Sequence, residues 1–398
     1  MASRLQNTSR FGAVILPLIL SGVPAQAAPF GTAVQPAQAD MVARPNHPNM
    51  PSEAAPSTVA ALPARDGTVT QAGRSSMVAR AAPGIPATPA PVVADIHGPD
   101  APGAWDYASV DADAGQLYVA RMTGVGTVAL AGDHTGPELA AGRHVHAVLP
   151  LPRHRLLFTN GDIDTATVID ARSGRILATL KTGAKPDGAV FDPVSNQALI
   201  MNGKDGTITR IAIGPGAPRV IGTITVGGAL EAPALGGSGR LFVNIEDRNE
   251  IAVVSLASGK LTALYPLASC EGPTGLSFDP VHRLLVSACA NGVAKVLRED
   301  GADMASLSIG PHPDAVIADP AHDRMFIPSG GNGTLSEISL VWTPHVTRVM
   351  TTRKGARTGA YDPRTERVYL PYGQVVRTAG QPPALVPGSF GILVVDVR

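Results

Sequence analysis

The stretch Gly275-Leu276-Ser277-Phe278-Asp279-Pro280 decides the fold, because closely similar stretches recur along the chain. In each copy an apolar run ends in Asp-Pro, and a second apolar run and an Asn/Gly-rich turn lead into a β-branched stretch. The other sharp copies end at Pro193, Pro320 and Pro363, and weaker copies centre on Asp111, Pro150 and Leu235. Seven copies at intervals of 39 to 44 residues predict an all-β, seven-bladed β-propeller with one four-stranded blade per copy.

Local chemistry explains why one copy forms a blade. Asp192-Pro193 favours the first turn, because Asp accepts backbone hydrogen bonds and Pro presets φ. The Asn/Gly-rich run from Asn202 to Gly206 tolerates positive φ and suits the second turn. Thr207 to Ile213 then alternates with the period of a half-buried strand. An all-β sandwich would use similar strands, but it has no reason to repeat at constant length.

The two ends of the repeat region predict how the ring closes. The last copy ends with Gly391 to Val397, which has the pattern of a third strand, so this copy lacks an outermost strand. The apolar segment Val92 to Ile96 precedes the first inner strand and is the natural replacement. We therefore expect an N-terminal strand to pair with the C-terminal one, which removes two exposed sheet edges.

The residues before the propeller divide into two segments. Residues 1–27 have the pattern of a signal peptide, with Arg4 and Arg10, an apolar core from Phe11 to Leu20 and the cleavage site Ala25-Gln26-Ala27. A membrane anchor is the alternative, but Pro17 breaks an apolar run that is already too short to span a bilayer. Residues 28–91 are rich in Pro and Ala and are expected to form a disordered linker, which leaves residues 92–398 for the propeller.

Charge and location limit the partners. Without residues 1–27 the chain has 30 basic and 32 acidic residues and no basic patch, which argues against a nucleic-acid partner. The signal peptide predicts a periplasmic or secreted protein with no membrane span, and we expect a monomer. Cys270 and Cys289 flank the first two strands of blade five. In an oxidising compartment this placement favours a disulfide over two free thiols.

Several motifs together resemble the YncE-like family of exported bacterial proteins with YVTN-type β-propeller repeats. They are Trp105-Asp106-Tyr107, Val145-His146, Pro186-Asp187, Val243-Asn244-Ile245-Glu246-Asp247, Cys270 with Pro273-Thr274-Gly275-Leu276 and Cys289, Gly355-Ala356-Arg357-Thr358 and Pro387-Gly388-Ser389-Phe390. The resemblance implies a seven-bladed propeller in the periplasm of a Gram-negative bacterium, and it assigns no biochemical role. Leu230-Glu231 and the run Pro328 to Gly331 depart from the family pattern.

The inner strands of a propeller begin at one mouth of its central channel, so polar residues at these positions should converge. Taking the polar residue about five positions before each first turn gives one ligand-binding candidate per blade. The candidates are Asp106, His146, Asp187, Glu231, Glu271, Asp314 and Arg357. Crowded carboxylates repel one another unless a cation relieves them. No cofactor is assigned, but Ca²⁺ or Mg²⁺ would suit the carboxylates and His146 would admit a transition metal.

Three functions follow from this arrangement. The first is a non-catalytic periplasmic propeller that binds an unidentified small molecule or protein at the channel mouth, with residues 371–388 as a long loop over it. The alternative is a metal-dependent lactonase or lyase that uses the same residues, so catalysis stays undecided. A redox-enzyme subunit is disfavoured, because the sequence has no Cys-x-x-Cys-His motif. Each polar residue could instead have only a structural role, in bonds to neighbouring blades.

Overall fold

The structure is a computed structural model that describes residues 84–98, 103–132, 134–376 and 384–398. The predicted signal peptide and residues 28–83 of the predicted linker lie outside the described residues. Nearly all regular structure in the described residues is β, and three single-turn 3₁₀ helices span Gly237–Gly239, Glu246–Arg248 and Pro320–His322. No helix in these described ranges is long and apolar enough to cross a membrane.

Seven antiparallel sheets follow one another along the chain, and each is one blade. From the inside outwards, blade 1 consists of Trp105–Asp111, Gln116–Arg121, Gly124–Ala129 and the split pair His134–Thr135 and Ala140–Ala141, and blade 2 of Val148–Leu151, Arg155–Asn160, Thr165–Asp170 and Ile176–Lys181. Blade 3 consists of Pro186–Asp192, Gln197–Asn202, Thr207–Ala212 and Arg219–Thr225. Blade 4 consists of Leu230–Leu235, Arg240–Ile245, Glu250–Ser255 and Lys260–Pro266.

Blades 5 to 7 complete the ring. In the same order, blade 5 consists of Pro273–Asp279, Leu284–Cys289, Val293–Arg298 and Asp303–Ser308. Blade 6 consists of Ile317–Asp319, Arg324–Ser329, Thr334–Ser339 and His345–Thr351. Blade 7 consists of Ala360–Asp362, Arg367–Tyr372, Gly391–Asp396 and Val92–His97. Each inner strand contacts the inner strands of both neighbouring blades, and blade 7 contacts blade 1. The predicted seven-bladed propeller is therefore confirmed.

The ring closes as the sequence predicts. Val92–His97 pairs antiparallel with Gly391–Asp396, so an N-terminal segment supplies the outer strand of blade 7. A second short strand, Thr88–Pro89, pairs in parallel with the outer strand of blade 6. This contact was not predicted, and it puts a short strand within residues 28–91, for which a disordered linker is expected.

The core consists of seven separate apolar clusters, and each fills the space between two adjacent blades. The turn at the far end of each inner strand fixes the blade geometry. Asp192 accepts hydrogen bonds from the amides of Val194 and Ser195, and Asp279 accepts one from the amide of His282. Blades 1, 2 and 4 have other residues at this turn but keep the same strand order, so the start of each inner strand lies on one face of the ring.

Candidate functional site at the channel mouth

Strand register defines one equivalent position at the start of each inner strand. In blade 3, Pro186 pairs with Asn202 and Ala189 pairs with Ile200, so the strand bulges between these pairs. The same irregularity occurs in blades 1, 4 and 5. The residue after the first pair begins the bulge. In blades 1 to 7 the equivalent residues are Asp106, His146, Asp187, Glu231, Thr274, Asp314 and Arg357, which we call the mouth ring.

Six of the seven predicted site residues therefore occupy the mouth ring, and Glu271 does not. Glu271 is exposed and lies two positions before the inner strand of blade 5, which begins at Pro273. Thr274 takes its place in the ring and donates a hydrogen bond to the carbonyl of Pro313 over 2.9 Å. The run Pro273-Thr274-Gly275 matches Pro186-Asp187-Gly188 in the sequence, so this alignment could have identified Thr274.

His146 lies between two carboxylates from neighbouring blades. Its Nδ1 is 2.8 Å from an oxygen of Asp106 and 3.7 Å from an oxygen of Asp187. Burial opposes protonation of the imidazole, but the hydrogen bond to Asp106 and the charge of Asp187 outweigh it, so the pKa of His146 is raised. The Nε2 atom is buried and finds no hydrogen-bond partner among the described residues.

The imidazole of His146 is held firmly in this position. The ring of His144 stacks on it with the centroids 4.3 Å apart. On the side of Nε2 it packs against Gly161, where an added Cβ would come within 2.8 Å of the imidazole. A side chain at residue 161 would therefore displace His146. With glycine there, the imidazole keeps the position in which its Nδ1 faces Asp106 and Asp187.

Lys185 and Glu231 lie close to the group formed by Asp106, His146 and Asp187. The positive charges near these carboxyls offset their burial and mutual repulsion only in part. The Lys185 amine is 3.3 Å from a carboxylate oxygen of Asp187. Burial nevertheless raises the pKa of Asp187, because the charges of His146 and Lys185 offset the loss of hydration only in part. Burial and the negative charges of Asp187, Asp314 and Glu246 raise the pKa of Glu231 well above its ordinary value. These carboxyls favour a bound proton or a bound cation.

Arg357 is the mouth-ring residue of blade 7, and it bonds to both neighbouring blades. Its Nε donates to a carboxylate oxygen of Asp314 over 2.8 Å, and its second terminal nitrogen donates to the carbonyl of Trp105 over 2.7 Å. These bonds connect blades 6, 7 and 1. Arg357 offsets only part of the desolvation of Asp314, so burial still raises the pKa of that carboxyl to about 6.

Tyr107 is another residue that sequence reasoning missed. It follows Asp106 on the inner strand of blade 1, where the other inner strands carry small residues such as Ala147, Gly188 and Ala232. Burial and the charges of Glu231, Asp314, Asp187 and Asp106 raise its pKa, so the phenol lies among carboxylates from four blades. Its hydroxyl is buried without a hydrogen-bond partner in the described part of the chain.

The central channel continues next to Tyr107 as a narrow cavity of about 180 Å³. Small or aliphatic residues from every blade line it, including Ala147, Gly188, Gly275 and Gly359. The polar mouth and this less polar channel meet at Tyr107, which also lines the cavity. A ligand that enters the mouth would therefore contact charged groups first and the phenol next.

Asp106, His146 and Asp187 could together hold a metal ion. One ligand atom from each lies within 4.8 Å of the others. Two donor atoms that each bind an ion at about 2.1 Å lie roughly 3.0 to 3.4 Å apart at right or tetrahedral angles. The distances of 2.8 and 3.7 Å from Nδ1 differ from this by a few tenths of an ångström. The residues therefore fit a divalent cation, which would replace the proton on Nδ1.

The disulfide predicted from the sequence is confirmed. Cys270 and Cys289 are bonded, with their Cα atoms 5.5 Å apart. Pro273 pairs with Cys289, so the disulfide ties the entry of the inner strand to the end of the second strand at the mouth. Residues 377–383 of the long loop lie outside the described residues, while its base forms a short hairpin in which Val375–Val376 pairs with Ala384–Leu385.

Comparison with known proteins supports the architecture. A solved chain titled "Kuenenia stuttgartiensis Hydrazine Synthase" superposes with a TM-score of 0.60 and 14% sequence identity, and the match covers 74% of this chain and 98% of that chain. The likeness is one of fold alone. No family model matches the chain, and no curated protein matches its sequence.

Proposed function

We propose that this chain is an exported, YncE-like binding protein whose mouth ring holds a divalent cation and, through it, a small molecule or a protein segment. The observation that carries the proposal is the placement of His146 Nδ1 between the carboxylates of Asp106 and Asp187. Three blades supply these groups, and the propeller holds them at one end of the channel. The resemblance of the motifs supports the family, and the disulfide suits an oxidising compartment.

The donor set selects among cations. One imidazole nitrogen and two carboxylate oxygens suit Zn²⁺ or Mn²⁺ better than Ca²⁺, which takes six to eight oxygen ligands. Mg²⁺ also prefers oxygen donors. We therefore extend the prediction of Ca²⁺ or Mg²⁺ and place Zn²⁺ and Mn²⁺ first.

Three protein ligands would leave a coordination position open toward the mouth. A ligand with a carboxylate or carbonyl oxygen can fill such a position. Lys185 lies beside the ring and Arg357 belongs to it. Both would favour an anionic group, although both already pair with carboxylates. The proposed ligand is therefore an oxygen donor that is recognised jointly by the cation and these two side chains.

Calorimetric titration of chelator-treated protein with Zn²⁺, Mn²⁺, Ca²⁺ and Mg²⁺ tests the cation site. We expect one site that prefers Zn²⁺ or Mn²⁺, and at least tenfold weaker binding in each of the variants Asp106→Asn, His146→Gln and Asp187→Asn, since second-shell changes alone cost that much. Asp113→Asn is the matched control, because Asp113 is an exposed carboxylate in the first turn of blade 1. Equal binding by the ring variants and this control would contradict the proposal.

A metal-dependent lactonase or lyase is the second candidate, and the observation that favours it is the group of three possible ligands, Asp106, His146 and Asp187, because a catalytic ion with three protein ligands keeps a position for substrate. A bound ion would supply a Lewis acid, while Glu231, a ring carboxylate outside the three ligands, would accept a proton. A panel of lactones tests this function with Zn²⁺-loaded protein. Turnover that Asp187→Asn abolishes would favour the enzyme, and tight cation binding without turnover would favour the binding protein.

The proposed export and monomeric state have their own test. Fractionation of expressing cells, followed by mass spectrometry, should find a periplasmic chain that begins at residue 28 and lacks free thiols. Size-exclusion chromatography with light scattering should give the mass of one chain. A cytoplasmic chain that retains residues 1–27 would contradict the export proposal without affecting the cation site.

A further inference from the structure

Blade 1 differs from the other blades at one position of its third strand. Gly126 pairs with Val119 there. The residues at the equivalent position of blades 2 to 7 all carry a side chain and are all buried: Thr167, Thr209, Ala252, Lys295, Ser336 and Leu393. The absence of a side chain at Gly126 leaves space between blades 1 and 7 that the other blade interfaces fill.

The outer strand of blade 1 is also unusual. It is split into His134–Thr135 and Ala140–Ala141, and residues 136–139 run between the two pieces. The carbonyl of Pro137 accepts a hydrogen bond from the hydroxyl of Thr127, which holds this connection over the third strand. The connection therefore forms an outer wall above the space that Gly126 leaves open.

The result is a cavity of about 340 Å³ between blades 1 and 7. Its walls include Val119 and Val128 from blade 1 and Phe390 and Ile392 from blade 7, all of them buried. This volume lies at the lower end of the range of about 300 to 1,000 Å³ for small-molecule sites. Protein interiors are normally close-packed, so a cavity of this size with an apolar lining is suited to an apolar occupant.

Two charged residues give the cavity a polar edge without a net charge. Arg121 is only 4% exposed, and its guanidinium carbon lies 3.8 Å from the centroid of the Phe390 ring. Burial lowers the pKa of Arg121, and the carboxylate of Glu138 on the outer wall opposes this change. An ionic ligand would upset this balance, whereas an uncharged ligand would leave it intact.

We infer that this cavity is a binding site for a small uncharged molecule, mainly aromatic or aliphatic, with at most one hydroxyl or carbonyl oxygen. The apolar part would lie against Val119, Val128 and Ile392, and the oxygen would face Arg121. Because none of these residues belongs to the mouth ring, the inference stands or falls separately from the proposed cation site.

The neutral fluorescent probe N-phenyl-1-naphthylamine tests the inference in solution. Purified full-length protein should bind it at one saturable site. Gly126→Leu should weaken binding at least tenfold, because the new side chain fills the cavity. An added Cβ at Gly126 meets only ordinary contacts, at 3.7 Å from the Val119 carbonyl and 3.8 Å from a carbon of Arg121, so the variant should fold. Gly222→Leu is the matched control, since nothing lies within 4 Å of its added Cβ.

A second measurement covers the case in which Gly126→Leu fails to fold. Crystals of the unaltered protein pressurised with xenon should show density between Val119, Val128 and Phe390. The inference is overturned if the unaltered protein does not bind the probe, if both leucine variants bind it equally, or if xenon occupies other places and leaves this cavity empty.

Discussion

Replacing Asp314 with asparagine should make the protein more stable at neutral pH, although the change removes an ion pair. The carboxylate of Asp314 lies 2.8 Å from Arg357, but burial and the charge of Asp106 outweigh this attraction. They raise the pKa of Asp314 from its ordinary value of 3.8 to about 6. Between these two values the folded protein keeps a proton that the unfolded chain has released, so stability falls as the pH rises.

The size of the effect follows from the two pKa values. Each tenfold change in proton affinity is worth about 1.4 kcal/mol, so ionisation of Asp314 costs the folded protein about 3 kcal/mol. The side chain is 18% exposed, which makes this figure an upper estimate. Asparagine avoids the charge and keeps an oxygen that can accept from Arg357 Nε. We therefore expect Asp314→Asn to gain about 2 to 3 kcal/mol at pH 7.5 and little at pH 3.5.

Urea denaturation in the presence of a chelator measures both values, since a bound cation would relieve the same repulsion. Asp113→Asn serves as the control for loss of an exposed carboxylate and should change stability by less than about 0.5 kcal/mol at either pH. A variant that is less stable than the unaltered protein at pH 7.5, or a gain that is the same at both pH values, would show that ionisation of Asp314 does not destabilise the folded protein.

Three further predictions concern the fold. Deletion of residues 92–97 should cost several kcal/mol in a denaturation experiment, because buried Ile96 alone is worth about 2 to 5 kcal/mol; unchanged melting would refute strand closure. Replacing both Cys270 and Cys289 with serine should cost about 3 kcal/mol on the chain-entropy model, and no loss on urea unfolding would contradict it. Tyr107→Phe should leave stability equal or slightly higher, since the hydroxyl has no hydrogen-bond partner among the described residues; a loss above about 1 kcal/mol would show a missed bond.

The propeller could be predicted because its information is local and repeated. Asp192-Pro193 and Asp279-Pro280 encode the same turn, and the structure shows the expected backbone bonds at both aspartates. Closure by Val92–His97 could be predicted because a missing strand leaves an edge that must be paired. The parallel strand Thr88–Pro89 could not, since two residues carry no periodic pattern.

The mouth ring was predicted less completely, because a count of residues does not give strand register. Charge favours Glu271 as the candidate of blade 5, whereas the bulge after Pro273 puts Thr274 in the ring. Lys185 lies one residue before the inner strand of blade 3, in a left-handed conformation with φ of 53°. A count along the strand does not reach it, so it was missed. The approach of Tyr107 to four carboxylates depends on how four blades pack around the channel, which the sequence does not reveal.

The central claim is that distant polar residues meet at the channel mouth in a geometry that binds a cation. Anomalous X-ray diffraction at the zinc edge, from crystals grown with Zn²⁺, tests it most directly. We expect a peak about 2.0 to 2.2 Å from His146 Nδ1 and from a carboxylate oxygen of both Asp106 and Asp187. A mouth without an anomalous peak, in which His146 Nδ1 still donates to Asp106, would contradict it.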